Sequence, residues 1–364
     1  MTKSNLKNDV ILSRQVALAA AFLLPVGKLL EAPSLLAERA AGDLLLPAFL
    51  HFLLQAALLF ALVYVSSQSE KTLFERLEMR LGKGMVVFYI LYAVYFIFAA
   101  ILPIFDLEKF IYAAFFDTAP TVFSFTAFFF LSGYICAKGI KSLGRVADLS
   151  AFLFVIPFFA LIVMSLEEAD FTHLLPLFGT KFGDTMSAFT YTTPHFSDAI
   201  LLLPLLGNLR YKKGDGVKIM SGYGVGAAIT LVFLAVFFGV YSSIAPREHY
   251  AFSKIAQYFP ALSIIGRIDL IFVYLLTAVL LIYTAMPLQY AVDFTCRALH
   301  SKRRALYAGI LNFALLLFTF YCNKYYNTLF ALFSGKLPFV FWFIADMLPL
   351  FLLFLPNEKE KKHA

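Results

Sequence analysis

The chain has 364 residues, of which 61% are apolar and only 15% carry a charge. A water-soluble fold of this size cannot hide so much apolar surface, so the composition excludes an ordinary soluble domain and indicates an integral membrane protein. The net charge of +7 is spread over short clusters between apolar runs, which is typical of a membrane topology signal and not of a nucleic-acid-binding patch.

Apolar runs long enough to cross a bilayer recur along the chain and predict about ten transmembrane helices, here called spans. In chain order the predicted spans cover 14–40, 44–66, 84–114, 118–138, 146–165, 182–206, 217–244, 266–296, 305–322 and 337–355. Most Lys and Arg residues lie in the N-terminus, the C-terminal tail and the loops that follow spans 2, 4, 6 and 8. The positive-inside rule therefore predicts that both termini are cytoplasmic. In the loop between spans 2 and 3, Leu73, Leu77 and Leu81 recur among charges and predict a short amphipathic helix on the membrane surface.

Span 1 is interrupted at its centre by Pro25, Val26, Gly27 and Lys28, and Glu31 follows. Proline removes a backbone donor and glycine adds conformational freedom, so this sequence predicts a broken helix. A lysine at mid-depth is costly and favours a functional site. Lys28 and Glu31 stand three residues apart and either pair with each other or contact a ligand.

Span 6 is polar at its middle and contains a proline, so it also predicts a break. The candidate ligand-binding residues there are Thr190, Tyr191, Thr192, Thr193, Pro194, His195 and Asp198. Non-helical backbone at this depth is tolerated where it lines a cavity, and its free amides and carbonyls bind small ions or zwitterions. His195 and Asp198 share a helix face, as a proton relay or as a satisfied buried pair.

The two breaks lie five spans apart, which predicts two five-span halves of inverted orientation within one domain covering 1–364. The halves are expected at about 14–165 and 182–322, with the second ending near 355. The alternative is that both prolines merely kink continuous helices and the polar residues pack internally.

Four stretches carry a resemblance to a known family: VGKLLEAPSLLAERAAGD in span 1, THLLPLFGT before span 6, FSDAILLLPLL within span 6 and GRIDLIFVYLLTAV at the start of span 8. In order and spacing the chain resembles the B subunit of spore germination receptors, a permease-like family of the amino acid–polyamine–organocation superfamily. The resemblance implies an all-α integral membrane fold of the LeuT/APC-like 5+5 inverted-repeat type. It also implies a small-molecule germinant, such as an amino acid, together with partner A and C subunits and a place in the spore inner membrane.

In this fold Tyr95 of span 3 and Thr277 of span 8 are expected to supply further pocket walls. Lys28 and Glu31 depart from the small or apolar residues that the family usually has after the span 1 glycine, which puts an ordinary L-alanine ligand in doubt.

Enzyme motifs are missing from the sequence: it has no GxSxG, HExxH, P-loop or dinucleotide-binding turn, and we expect no catalytic residues and no cofactor. The three cysteines show no metal-ligand spacing, so no metal site is expected. Two functions remain open. The first is a germinant-sensing receptor subunit, and the second is a secondary amino-acid transporter coupled to H⁺ or Na⁺.

Overall fold

The computed structural model describes residues 11–115, 121–176, 178–257, 269–325, 328 and 331–332. These residues form helices and loops, and no β-strand occurs among them. The helices are α1 Ser13–Lys28, α2 Ala32–Ala40, α3 Leu45–Ser67, α4 Leu73–Leu81, α5 Met85–Phe115, α6 Thr121–Lys138, α7 Ile140–Ser165, α8 Phe182–Thr192, α9 Asp198–Gly207, α10 Asp215–Tyr241, α11 Ala251–Ala256, α12 Asp269–Ala298 and α13 Arg304–Cys322.

The predicted all-α membrane architecture is confirmed. Six helical segments of the described chain are individually long and apolar enough to cross a bilayer, and α1 and α2, bent by 62° relative to each other, are so when taken together. Span 1 corresponds to α1 and α2, and span 6 to α8 and α9. Predicted span 10 lies outside the described residues, so a total of ten spans stays a prediction.

The predicted start of span 5 at residue 146 is wrong, because α7 begins at Ile140. Lys141 and Arg145 lie on the exposed face of this first part of α7, while Leu143 is buried. Charges confined to one face do not interrupt a helix, although they end an apolar run in the sequence.

The amphipathic helix between spans 2 and 3 is present as α4. Thr72 and Glu75 form a capping box at its start, with hydrogen bonds of 3.0 and 3.3 Å. Leu73 and Leu77 are buried, but Leu81 is exposed. The helix therefore lies with one face against the end of the bundle, where the ring of Phe74 packs directly over Gly207 of α9.

Hydrogen bonds between different segments stabilise each of the two ends of the bundle. At the end that carries α4, Arg297 donates to Asp293 at 2.9 Å and to Asn208 at 2.7 Å, and the backbone of Ile11 donates to the carbonyl of Asn208 at 3.3 Å. At the opposite end, which carries α11, Asp43 accepts hydrogen bonds from the backbone and hydroxyl of Thr180. These two ends are called the α4 face and the α11 face below.

Helix α10 approaches the backbone of α1 closely at two glycines. A Cβ atom at Gly222 would lie 2.5 Å from the carbonyl oxygen of Ala17, and one at Gly226 would lie 2.3 Å from that of Ala20. Both distances are shorter than any real Cβ contact, so only glycine fits. Small residues allow membrane helices to pack backbone against backbone, and here they fix α1 against α10.

We expect Gly226→Ala to lower the thermal unfolding midpoint of the detergent-purified protein by several degrees, since overpacking against backbone costs about 1–3 kcal/mol. Gly224→Ala is the matched control, because nothing lies within 4 Å of a Cβ atom at that position. Equal midpoints for the two variants in a thermal unfolding assay would contradict the close approach of α10 to α1.

Candidate functional site

The break in span 1 lies between α1 and α2, at Leu29–Glu31. Pro33 has no amide hydrogen, so it cannot donate to the carbonyl of Leu29, four residues earlier. That carbonyl instead accepts a hydrogen bond of 3.1 Å from the amide of Phe252, and the carbonyl of Leu30 accepts one of 2.9 Å from the amide of Ala251. The first turn of α11 thus supplies the partners that the broken helix lacks.

The predicted position of this break, at Pro25–Lys28, is wrong by a few residues. The chain widens into a π-helical turn over Ala19–Leu23 and stays helical through Lys28. Pro25 lies just after this π-helical turn, and the changed hydrogen-bond register there accommodates its missing donor. Pro33, and not Pro25, therefore coincides with the break.

The break in span 6 is where the sequence predicts it. After α8 the chain forms a 3₁₀ turn over Thr193–Phe196, and Ser197 leaves helical geometry before α9 begins at Asp198. Thr193 donates its hydroxyl hydrogen to the carbonyl of Phe189 at 2.9 Å, which satisfies part of the interrupted backbone. The sequence prediction of a polar, proline-containing interruption is confirmed here.

Two side chains of α3 support this second break, and sequence reasoning missed both. The Nε2 atom of His51 lies 2.9 Å from the carbonyl oxygen of Phe189 and 3.2 Å from the hydroxyl of Thr192. Because a carbonyl only accepts, Nε2 carries the hydrogen. Gln55, one turn later, accepts a hydrogen bond of 2.8 Å from the amide of Ala199 at the start of α9. Their spacing of four residues on an otherwise apolar helix is the signal that could have revealed them.

The imidazole of His51 is also held between two aromatic rings, one from α8 and one from the 3₁₀ turn. It stacks on Phe189 at 4.0 Å and on Phe196 at 4.5 Å between ring centroids. His51 is fully buried. The break in span 6 is therefore a rigidly packed feature, positioned by α3.

A buried ion pair joins the two broken spans. The Nζ atom of Lys28, at the end of α1, lies 2.5 Å from a carboxylate oxygen of Asp198, at the start of α9. The side chains are 1% and 2% exposed, respectively. Tyr223 of α10 donates a hydrogen bond of 3.2 Å to the second oxygen of Asp198. The positive end of the α9 dipole favours the carboxylate at this position.

The notch beside Gly27 is filled by Tyr283 of α12. A Cβ atom at Gly27 would lie 2.3 Å from the tyrosine ring and 2.7 Å from its hydroxyl oxygen. Glycine is therefore required for the ring to reach the end of α1. Tyr283 follows the predicted wall residue Thr277 in α12 and packs against the end of α1, just before the first break.

The alternative in which Lys28 pairs with Glu31 is not what the structure shows. Once the chain leaves the helix at Leu29, the two side chains diverge, and Glu31 accepts a hydrogen bond of 3.0 Å from Nδ1 of His249. His249 precedes α11, so this contact lies beside the two backbone bonds that hold α11 to the break. The hydrogen bond to Glu31 raises the pKa of His249, and the neighbouring Glu248 and Glu38 carboxylates add to this.

The remaining candidate residues are distributed unequally around the breaks. His195 lies in the 3₁₀ turn, but Asp198 meets Lys28 and Tyr223, so the predicted His195–Asp198 pair is not among the described contacts. Thr190 is exposed and bonds within its own helix, whereas Tyr191 lies under the guanidinium of Arg39. Pro25 and Val26 are buried in the last helical segment of α1, and Thr192 and Thr193 are buried where α8 meets the 3₁₀ turn. Tyr95 is buried beside Tyr92 and Phe96, and Thr277 is buried and donates to the carbonyl of Val273. Pro194 is only partly covered.

Comparison with known families shows what this architecture belongs to. The family model described as spore germination protein, the spore permeases, matches residues 13–327. The chain belongs to this spore germination protein family. The resemblance carried by the four sequence stretches is thereby confirmed, and the family is permease-like.

Solved structures confirm the transporter-like fold of this family member. A mutant of the manganese transporter of Eremococcus coleocola matches with a TM-score of 0.54 and 13% identity, covering 97% of this chain and 78% of the transporter. The same transporter in complex with an aromatic bis-isothiourea substituted compound matches with a TM-score of 0.52 and 12% identity, at the same coverages. At such low identity the likeness concerns the fold alone. Comparison with curated proteins gives no match.

The contact between Glu31 and His249 predicts a pH dependence at the α11 face of this family member. The raised pKa of His249 means that its ion pair is fully formed below the ordinary histidine pKa and is lost as pH rises through the raised value. We expect hydrogen exchange at the amides of Ala251 and Phe252, corrected for the intrinsic rate, to quicken from about pH 6 to pH 8.

His249→Gln should remove this pH dependence. His173→Gln is the matched control, because His173 also lies at the α11 face but does not contact the break in the described structure. Exchange rates that keep the same pH profile in His249→Gln would contradict the role of this ion pair.

The buried ion pair predicts a strong energetic coupling between the two breaks. Lys28→Met leaves the Asp198 carboxylate buried without its cation and should cost about 3–5 kcal/mol of stability. The double variant Lys28→Met/Asp198→Asn should lose clearly less than the sum of the two single variants. A thermal unfolding cycle over the four proteins measures this coupling, and additive losses would contradict it.

Proposed function

We propose that the chain is the germinant-sensing membrane subunit of a spore germination receptor, and that it binds a small nutrient such as an amino acid where the two broken spans meet. The observation that carries the proposal is the buried pair of Lys28 and Asp198, one charge from each break. Membership of the spore germination protein family supplies the biological context.

The ion pair favours a ligand that has both charges. A zwitterion that enters between the two side chains offers its carboxylate to Lys28 and its ammonium to Asp198, so one buried pair is replaced by two. A ligand with a single charge leaves Lys28 or Asp198 without a partner, and an unpaired charge is costly in a buried site. Neutral amino acids satisfy both side chains with the fewest additional groups.

Binding at this site acts on the conformation of the whole subunit, because the two charges belong to separate helical segments. A ligand shifts a conformational equilibrium only by its differential affinity for the two states. Separating Lys28 from Asp198 changes the relation of α1 to α9, and Leu29–Glu31 connects α1 to the contacts with α11. A nutrient is in this way converted into a movement that partner subunits detect.

The partners proposed for this signal are the A subunit, a larger membrane protein, and the C subunit, a lipoprotein, in the spore inner membrane. Family membership supports this assembly. The distribution of Lys and Arg supports cytoplasmic N- and C-termini. The chain is proposed to be one transmembrane domain, with inverted halves at about 14–165 and from 182 to about 355.

The second candidate function is secondary transport of an amino acid coupled to H⁺ or Na⁺. The observation in its favour is the fold, which is similar to that of a solved transporter over 97% of this chain. Uptake into liposomes that contain this protein alone separates the two functions. Robust uptake driven by an ion gradient would contradict a pure receptor, and specific binding without uptake would support one.

Ligand binding is tested by thermal shift of the detergent-purified protein with a panel of neutral amino acids. We expect a zwitterion to raise the unfolding midpoint, whereas its amide and the corresponding carboxylic acid without the amine should not. Lys28→Ala and Thr192→Ala should weaken the ligand response while the protein remains in the membrane.

Lys254→Ala is the matched control for the lysine, since Lys254 pairs with Glu248 on the exposed side of α11. An unchanged ligand profile in both Lys28→Ala and Thr192→Ala, at normal abundance, would place the ligand elsewhere.

A further inference from the structure

The ammonium group of Lys28 has a set of partners that comes from four different places in the fold. Its Nζ atom donates to Asp198 at 2.5 Å and to the carbonyl of Leu24 at 3.3 Å. The ring centroid of Phe196 lies 5.6 Å away and that of Phe52 lies 6.0 Å away. A carboxylate, a backbone carbonyl and two aromatic rings thus surround one cation.

If the Lys28 side chain were removed, these partners would bind a free cation in its place. The carboxylate of Asp198 and the carbonyl of Leu24 are oxygen donors, and the faces of two phenylalanines attract organic ammonium ions. One oxygen donor lies in the last helical segment of α1 and the other at the start of α9. The ammonium therefore occupies the position of an ion that would bridge the two broken spans.

We propose that Lys28 is a tethered cation in an ammonium-selective site, and that this site joins the two broken spans without any inorganic ion. The site is the one used in the proposed function, but the inference can be tested without a nutrient ligand. It predicts that the resting protein needs no Na⁺ for its stability. It also predicts that the two oxygen donors and two rings prefer an organic ammonium ion to Na⁺ once the lysine is removed.

The deciding experiment removes the tether and supplies the cation from solution. Lys28→Ala deletes the atoms of a propylammonium ion, so this ion is the probe. Millimolar propylammonium should raise the unfolding midpoint of Lys28→Ala by about 2 °C or more, beyond any effect on the wild type. The neutral molecule of the same size, 1-propanol, should not do so, and Na⁺ should act more weakly than propylammonium.

The double variant Lys28→Ala/Asp198→Asn is the control for the counter-charge. It keeps the space left by the lysine but lacks the carboxylate, so propylammonium should not stabilise it. Stabilisation by 1-propanol equal to that by propylammonium, or rescue that persists in the double variant, would overturn the proposal, because either result indicates cavity filling and not cation binding. Absence of any propylammonium effect on folded Lys28→Ala would also overturn it.

The wild-type protein gives a second, independent test that does not require Lys28→Ala to fold. Na⁺ is replaced by K⁺ and then by choline at constant ionic strength. The unfolding midpoint should be the same in all three salts, whereas a saturable rise with Na⁺ alone would overturn the proposal. If the wild type binds no amino acid but propylammonium still stabilises Lys28→Ala, the proposed function is contradicted and the tethered cation is not.

Discussion

Backbone carbonyls and amides that leave a helix inside an apolar bundle must find new partners, and this constraint shapes the site. Pro33 frees the carbonyl of Leu29, which the amide of Phe252 then satisfies. In span 6 the freed groups are met by His51 and Gln55 of α3. Each break is thus held in one geometry by a different neighbouring element, and both can present charged side chains to each other.

The pairing of Lys28 with Asp198 depends on this geometry. Two charges that are almost completely buried are stable only when the distance is short and further hydrogen bonds satisfy them, as Tyr223 and the carbonyl of Leu24 do here. Such a pair contributes less to stability than it costs to break from one side. For this reason we propose the pair as the point at which a ligand of matching charges acts.

Much of the fold could be predicted from the sequence because apolar runs and breaks are local signals. The polar middle of span 6 is one such signal, and its break lies where predicted. The partner of Lys28 was beyond prediction, because Asp198 is 170 residues away and Glu31 offers a closer match in sequence. The four-residue spacing of His51 and Gln55 indicates a shared helix face, but only the fold shows that this face meets the break in span 6. Pro25 predicted a break at the wrong position, because the π-helical turn just before it accommodates the missing backbone donor.

The two ion pairs of span 1 lie at the two ends of its break, and their positions link the site to the α11 face. Lys28 ends α1 and meets Asp198, whereas Glu31 precedes α2 and meets His249. The segment between them, Leu29–Leu30, holds α11 through its own carbonyls. In the proposed function, a ligand that displaces Lys28 also acts on the nearby contacts between Leu29–Glu31 and α11. The proposed nutrient site and the ion pair of His249 thus share one short piece of backbone, Leu29–Glu31.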